Sequence, residues 1–146
     1  MYLLDRITKI WADRALAGRP PIRVIPGVLS LDHTTNSGGA FGLGRSAPWI
    51  FATATLVVAL IVVAVSFRAR GTPIAVALGL ILGGGIGNFT DRALNGDGFL
   101  SGHVTDFIDL HWWPIFNVAD SAIVVGAVLL AVASSRSEHR EDAGGT

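Results

Sequence analysis

The amino-acid sequence predicts an α-helical multi-pass membrane protein with a small β element outside the bilayer. Three observations predict it. Hydrophobic residues make up 51% of the chain and charged residues 15%. The mean hydropathy is +0.55, too apolar for an ordinary soluble domain. Three long apolar runs recur in the C-terminal two thirds, and a Pro- and Gly-rich, β-branched stretch precedes them. A single integral membrane domain is expected over residues 1–146.

Residues 1–17, MYLLDRITKIWADRALA, set Asp5, Arg6, Lys9, Asp13 and Arg14 among apolar residues. The segment is too short and too charged to span alone, and it lacks a signal peptide's apolar core. It reads either as a helix lying on the membrane surface or as the outer part of a first membrane helix. Residues 18–46 carry Pro20, Pro21, Pro26 and several glycines between β-branched segments such as IRVI and VLSLDHTT. Short strands and turns outside the bilayer are expected there.

The run 47–67 is uncharged and, at ~1.5 Å rise per residue, covers about 30 Å, one hydrocarbon core. Arg68, Arg70 and Gly71-Thr72-Pro73 end it. A second membrane helix is expected over 74–91 and a third over 117–134, both near the lower length limit for spanning. The region 93–114 is expected outside the membrane, with a turn at Asn95–Gly98. Residues 135–146 form a cytoplasmic tail. Arg68 and Arg70 in a tight loop, with Arg136 and Arg140 in the tail, place those ends in the cytoplasm by the positive-inside rule. Residues 18–46 and 93–117 are then extracytoplasmic.

Several function classes fall away. Cysteine is absent, which removes disulfides, thiolate nucleophiles and zinc–thiolate sites. His33, His103, His111 and His139 show no metal-ligand spacing, so no metal and no cofactor are expected. Zero formal net charge gives no footprint for nucleic acid.

The polar residues at the ends of the apolar runs carry the chemistry. Asp120 opens the run Ser121–Ala133, and charge at that depth costs ~2.5–3.5 kcal/mol on insertion scales. Asp91 and Asp106 lie at neighbouring boundaries. Two carboxylates brought together there can share a proton and activate water. N-x-x-D occurs twice, at Asn88–Asp91 and Asn117–Asp120. Each pair shares a helix face, so an Asn amide can orient its carboxylate, although Asn117 or Asp120 can equally cap a helix.

Arg92 reads as a snorkelling interface residue or as the cation that keeps Asp91 ionised. Asp5 and Lys9 form an i,i+4 pair that is either an ordinary surface pair or a clasp holding the first helix to the site. Asn36, in TTNSGGAFG, has the look of turn chemistry. Gly79, Gly83 and Gly87, and Ala122 with Gly126, have the spacing of close helix packing. Trp112 and Trp113 read as an interfacial aromatic anchor.

Four ordered blocks, NSGGAFG, GNFTDR, VTDFID and FNVADS, with apolar runs between them, resemble lipoprotein signal peptidase (signal peptidase II). DRITK is similar to the D-x-x-x-K of that family's first helix. The resemblance covers Asp5 to about Gly126. It implies a membrane aspartic endopeptidase built as a four-helix bundle, its first helix cut short in this chain, with a small extracytoplasmic β-cradle, which cuts a prolipoprotein's signal peptide just before a diacylglyceryl-modified cysteine. It further implies a catalytic pair at Asp106 and Asp120. Asn36, Asn88, Asp91, Arg92 and Asn117 match the surrounding polar shell, and Asp5 and Lys9 the first-helix pair. The expected partners are a lipidated prolipoprotein and the bilayer of a bacterial inner membrane. A monomer is expected, with its site near the extracytoplasmic face.

Two departures stand out. Only Met1–Leu4 precede Asp5, for which a misplaced start codon is the preferred explanation. The Asp91–Asp106 connection is longer than usual and the Asp106–Asp120 connection shorter, both tolerable in loops. The rival function is a small membrane transporter or proton relay using the same Asp and Asn residues. Clustering of the carboxylates at one face favours interfacial chemistry over that rival.

Overall fold

The computed structural model describes residues 1–38, 48–69, 71–98 and 100–144. Gly39, Ala40, Phe41 and Gly42 of the NSGGAFG block, with Arg45, Arg70 and the side chains of Arg136 and Arg140, lie outside the described residues. Four helices and three strands follow in the order α1 (Tyr2–Ala15), β1 (Ile22–Ile25), β2 (Leu29–Asn36), α2 (Pro48–Ser66), α3 (Thr72–Leu94), β3 (Val104–Asp109) and α4 (Val118–Gly144). Three segments, Trp49–Ser66, Thr72–Leu94 and Val118–Ser135, are long and apolar enough to cross a membrane.

Two boundaries differ from the sequence expectation. α3 runs three residues past Asp91, because Asp91 and Arg92 are held inside the fold and the backbone closes only at Asn95, whose N–H bonds the Asp91 carbonyl. α4 continues through most of 135–146, where Ser, Glu, Arg and Ala replace the apolar run without a Gly or Pro to stop it until Gly144.

The burial pattern is inside-out relative to a water-soluble protein. On α1 the stripe Asp5, Lys9 and Ala12 is buried, while Leu3, Leu4, Ile7, Ile10 and Trp11 are exposed. Positions 5, 9 and 12 share one helix face, and that face carries the charges. On α2, Leu56, Val57, Leu60 and Ile61 are all exposed. Such surfaces are stable against lipid tails, and polar groups then gather in the protein interior.

α3 is the central element and packs on α1, α2 and α4. Its glycines allow this, but not as one stripe. A Cβ on Gly84 would stand 2.5 Å from the Ala119 carbonyl oxygen of α4, and one on Gly126 would stand 2.8 Å from the Ala77 carbonyl oxygen of α3. Gly83 and Gly87 face α1 instead, against Met1 and the Asp5 carboxylate. Gly79, the first member of the expected pattern, has nothing within 4 Å of its Cβ position and takes no part in the packing.

The sheet has the order β1-β2-β3, all antiparallel. β3 occupies part of the stretch 93–114. It was not foreseen as a strand, because VTDFID places a carboxylate where a half-buried strand usually alternates apolar residues. The alternation is used differently here. Thr105 and Phe107 point to α1: the Thr105 hydroxyl donates to Asp13 at 3.0 Å, and Phe107 meets Trp11 edge-on at 6.1 Å within a small core with Ala12 and Leu16. Asp106 therefore points to the opposite side.

The glycine contacts make a sharp expectation. Gly84→Val forces a side chain onto the α4 backbone, which cannot rotate away. Overpacking of this kind costs ~1–3 kcal/mol, so thermal unfolding in detergent should occur several degrees lower. Gly79→Ala should leave the midpoint unchanged or raise it, since alanine favours helix.

Candidate active site

The site forms where the last turns of α3, the first turn of α4 and the middle of β3 meet. Its lowest layer is an ion cluster. The Lys9 ammonium, 1% exposed, lies 2.9 Å from Asp5 Oδ2 and 2.8 Å from Asp91 Oδ2. It also donates to Asn88 Oδ1 at 2.8 Å. A lysine has three N–H donors and no acceptor, so these three partners use its capacity. Among the described residues these two carboxylate oxygens, Asp5 Oδ2 and Asp91 Oδ2, have no hydrogen-bond partner and depend on the Lys9 charge. Asp5 Oδ1 accepts the Ala119 backbone N–H of α4 at 3.1 Å, and Arg6 pairs with Asp91 Oδ1. Asp5 and Lys9 thus form the clasp, not a surface pair.

Arg92 does not pair with Asp91. Arg6 and Lys9 take that role, because Asp91 faces α1 while Arg92, one residue on, turns away by about 100°. The Arg92 guanidinium donates to the Gly38 carbonyl at 3.0 Å and lies 5.8 Å over the Phe51 ring. Its Nε is buried without a partner among the described residues.

Above the cluster stand the two remaining carboxylates. The paired N-x-x-D motifs cross over. Asn88 donates to Asp120 Oδ1 at 2.7 Å, not to Asp91. Asn117 donates from Nδ2 to Asp106 Oδ1 at 2.6 Å and to Asn88 Oδ1 at 3.2 Å. Asn117 is also a cap: its Oδ1 accepts the Asp120 N–H at 2.9 Å, and Asp120 Oδ2 accepts the Asn117 N–H at 3.3 Å. This is a reciprocal capping box. Asn36 follows the same rule. Its Oδ1 accepts the Gly38 N–H at 2.9 Å, a local turn, and its Nδ2 donates to Asp106 Oδ2 at 3.2 Å. In each Asn the oxygen serves a neighbouring group of the framework and the nitrogen grips a carboxylate. Cap or turn and site are one arrangement.

Asp106 and Asp120 both line a cavity of about 270 Å³, together with Asn36, Asn88, Arg92 and Trp113. Asp106 is 2% exposed. Burial, and then the negative charge of Asp120, push its carboxyl up to about 7 against the pull of Asn117 and Asn36. Asp106 can therefore keep its proton close to neutral pH, beside a second carboxyl. Asp109, at the end of β3, is not among the residues that line the cavity; its Oδ1 accepts the His111 backbone N–H.

The family profile described as signal peptidase (SPase) II matches residues 1–136. The chain belongs to the signal peptidase II family. Lipoprotein signal peptidase of Syntrophomonas wolfei is 40% identical over 97% of this chain and 92% of its own length. That of Rhodococcus jostii is 40% identical over 88% of this chain and 65% of its own, and that of Mycobacterium avium 40% over 90% and 72%. A bacterial membrane enzyme solved by the in meso method at 2.3 Å resolution superposes with a TM-score of 0.80 at 28% identity, covering 94% of this chain and 84% of that one. A second, at 1.9 Å, gives 0.75 at 29% identity, covering 90% and 85%. Membership of this peptidase family and three spans of membrane length make the chain a bacterial membrane protein.

Sequence reasoning missed Arg6, the Asp13–Thr105 bond and the His33 Nε2 contact to Asp13 at 2.9 Å. For Arg6 no spacing signal exists, since an arginine among apolar residues reads as a snorkelling side chain. Lys9→Met should show how much the clasp carries. It leaves Asp5 and Asp91 buried, and among the described residues Arg6 is then the cation still paired with Asp91. Removal of one partner from a buried pair costs ~3–5 kcal/mol. The unfolding midpoint in detergent should fall far more for Lys9→Met than for Arg6→Met, whose side chain is partly exposed.

Proposed function

We propose that this chain is an aspartic endopeptidase that removes the signal peptide of diacylglyceryl-modified prolipoproteins, cleaving before the lipidated cysteine. The observation that carries the reading is the Asp106/Asp120 pair. Two carboxyls from different elements, each gripped by an Asn amide, open on one cavity at one end of the membrane helices. That end lies opposite the loop bearing Arg68, and the positive-inside rule then puts it at the extracytoplasmic face. Every group of the site comes from one chain, so a monomer suffices.

The chemistry follows from the shared proton. Asp120 takes a proton from water as the water oxygen attacks the scissile carbonyl carbon. Asp106, protonated, donates to the carbonyl oxygen, which gives a neutral gem-diol. Asp120 then passes its proton to the amide nitrogen while Asp106 takes back a hydroxyl proton of the gem-diol; the C–N bond breaks, a carboxylic acid and an amine leave, and both carboxyls return to their starting states. Asn36, Asn88 and Asn117 hold both carboxyls in place throughout. Arg92 lines the same cavity and supports the substrate backbone. Asp5, Lys9 and Asp91 anchor α1 beneath the pair. Against the transporter or proton-relay reading, the two carboxyls open on one cavity at one end of the membrane helices.

Cleavage of a diacylglyceryl-cysteine prolipoprotein peptide by the purified protein tests this. Asp106→Asn and Asp120→Asn should each reduce kcat by at least ~10³-fold while the protein still inserts and melts cooperatively. Turnover retained in either variant defeats the assignment. Asp91→Asn should lower stability more than kcat.

The pH profile gives a second check. Loss of the Asp106 proton removes the general acid, so kcat/KM should fall as pH rises through about 7. The sign for stability is the same. A carboxyl raised above its unfolded value stabilises most in acid, and that contribution is lost as pH rises through the folded value. A profile that stays flat from pH 6 to 9 contradicts the role of Asp106.

A further inference from the structure

Beside the catalytic cavity runs a second, larger hollow of about 390 Å³, lined by Leu110, Trp112, Trp113, Phe116, Val124 and Val125, with Asp120 and Ser121 at one end. We propose that this groove holds an acyl chain of the substrate's diacylglyceryl group, a reading that rests on the proposed function and extends it. The lipid chains are then bound along α4 and not simply left in the bilayer.

Continuity comes first. Asp120, Trp113, Phe116 and Val124 line both the groove and the cavity. Whatever fills the groove is joined at the catalytic carboxylate to whatever is cut. Chemistry comes second. Away from Asp120 and Ser121 the lining side chains are apolar but for the Trp indole N–H groups, and the Ser121 hydroxyl is already committed to the Asn117 carbonyl at 3.1 Å. An extended peptide would leave its backbone N–H and C=O groups without partners there, at a cost of ~1–3 kcal/mol each. A methylene chain asks for no hydrogen bonds. Exposure comes third. Val124 is 61% exposed, Val125 51% and Val128 58%. They stand on a helix long and apolar enough to span, so the groove opens sideways to lipid, where an acyl chain already is.

The wall of the groove is set by a separate device. The chain 110–115 is pinned at both ends. Phe116 exchanges backbone hydrogen bonds with Ile108 at 2.8 and 3.1 Å. At the other end His111 has φ 65°, and its backbone N–H donates to Asp109 Oδ1 at 2.6 Å. The imidazole is held between Asp109 Oδ2 at 3.2 Å and Ser30 Oγ at 3.2 Å. This turn presents Trp112 and Trp113 to α4. Trp113 and Phe116 also wall the cavity, so His111 is a positioning residue for the groove.

The test uses a prolipoprotein peptide whose acyl chain carries a diazirine, with Asp106→Asn protein in phospholipid vesicles. Photolabel is expected on Trp112, Val124 and Val125. Val125→Trp, which fills the groove without lining the cavity, should reduce that label at least ~5-fold and His111→Ala by a similar factor. His111→Gly separates backbone from side chain. It permits φ 65° but lacks the imidazole, and it should label as poorly as His111→Ala. Label on Ala54, Val58 or Ile81 of the neighbouring helix seam overturns the proposal. So does equal labelling of the groove by a diazirine phospholipid that has no cysteine. In parallel, active protein should cleave a long-chain peptide with a KM raised roughly 10-fold in Val125→Trp and kcat unchanged, and a short-chain peptide with neither changed. Groove label without cleavage in any form would defeat the proposed function alone. Cleavage with label elsewhere would defeat the groove alone.

Discussion

A lysine ammonium with three acceptors governs the rest of the site. Lys9 can only donate, so Asn88 must turn its oxygen toward α1. That leaves the Asn88 nitrogen facing Asp120. Asn117 gives its nitrogen to the Asn88 oxygen and to Asp106, because its own oxygen is committed to capping α4. One charge on α1 and one helix cap therefore set the direction of two amides, and those amides hold the two carboxyls. In a site with few donors to spare, the direction of each hydrogen bond follows from its neighbour.

The same cluster explains how a helix of fourteen residues can matter so much. α1 contributes little apolar burial, since its larger apolar side chains face outward. It is held by ion pairs to α3 and a carboxylate bonded to the first turn of α4. In water such a helix would lose most of this attraction to screening. In an apolar surround the charges have no better partners, and the interaction persists.

Much of this was legible in the sequence. The apolar runs declared the spans, and the ordered polar blocks declared Asp106, Asp120 and their Asn partners. What stayed hidden were directions. The pairing of Asn88 with Asp120 needs α3 and α4 side by side, and spacing along one helix could only suggest Asp91. Arg92 next to Asp91 looked like a pair because adjacency in sequence was all there was to read. On a helix, adjacent residues face different neighbours. The strand carrying Asp106 was obscured for a related reason: a carboxylate in its middle breaks the usual apolar alternation. The glycine pattern was sound as a sign of close packing but divided its members between two partners.

That strand imposes a rule on how this fold can vary. Between α3 and β3, Asp97 and Gly98 are exposed, and residues could be added there with little consequence. Within 104–109 the count has parity. One inserted or deleted residue would swing the carboxyl of Asp106 onto the face that meets Asp13 and bring Thr105 or Phe107 to the cavity. The irregular pairing between Leu31 and Thr34 marks where β2 absorbs an offset so that β3 need not. Drift in length is thus tolerated at Asp97 and Gly98 and forbidden once the chain is bonded back to α3 at Gly102 and enters β3.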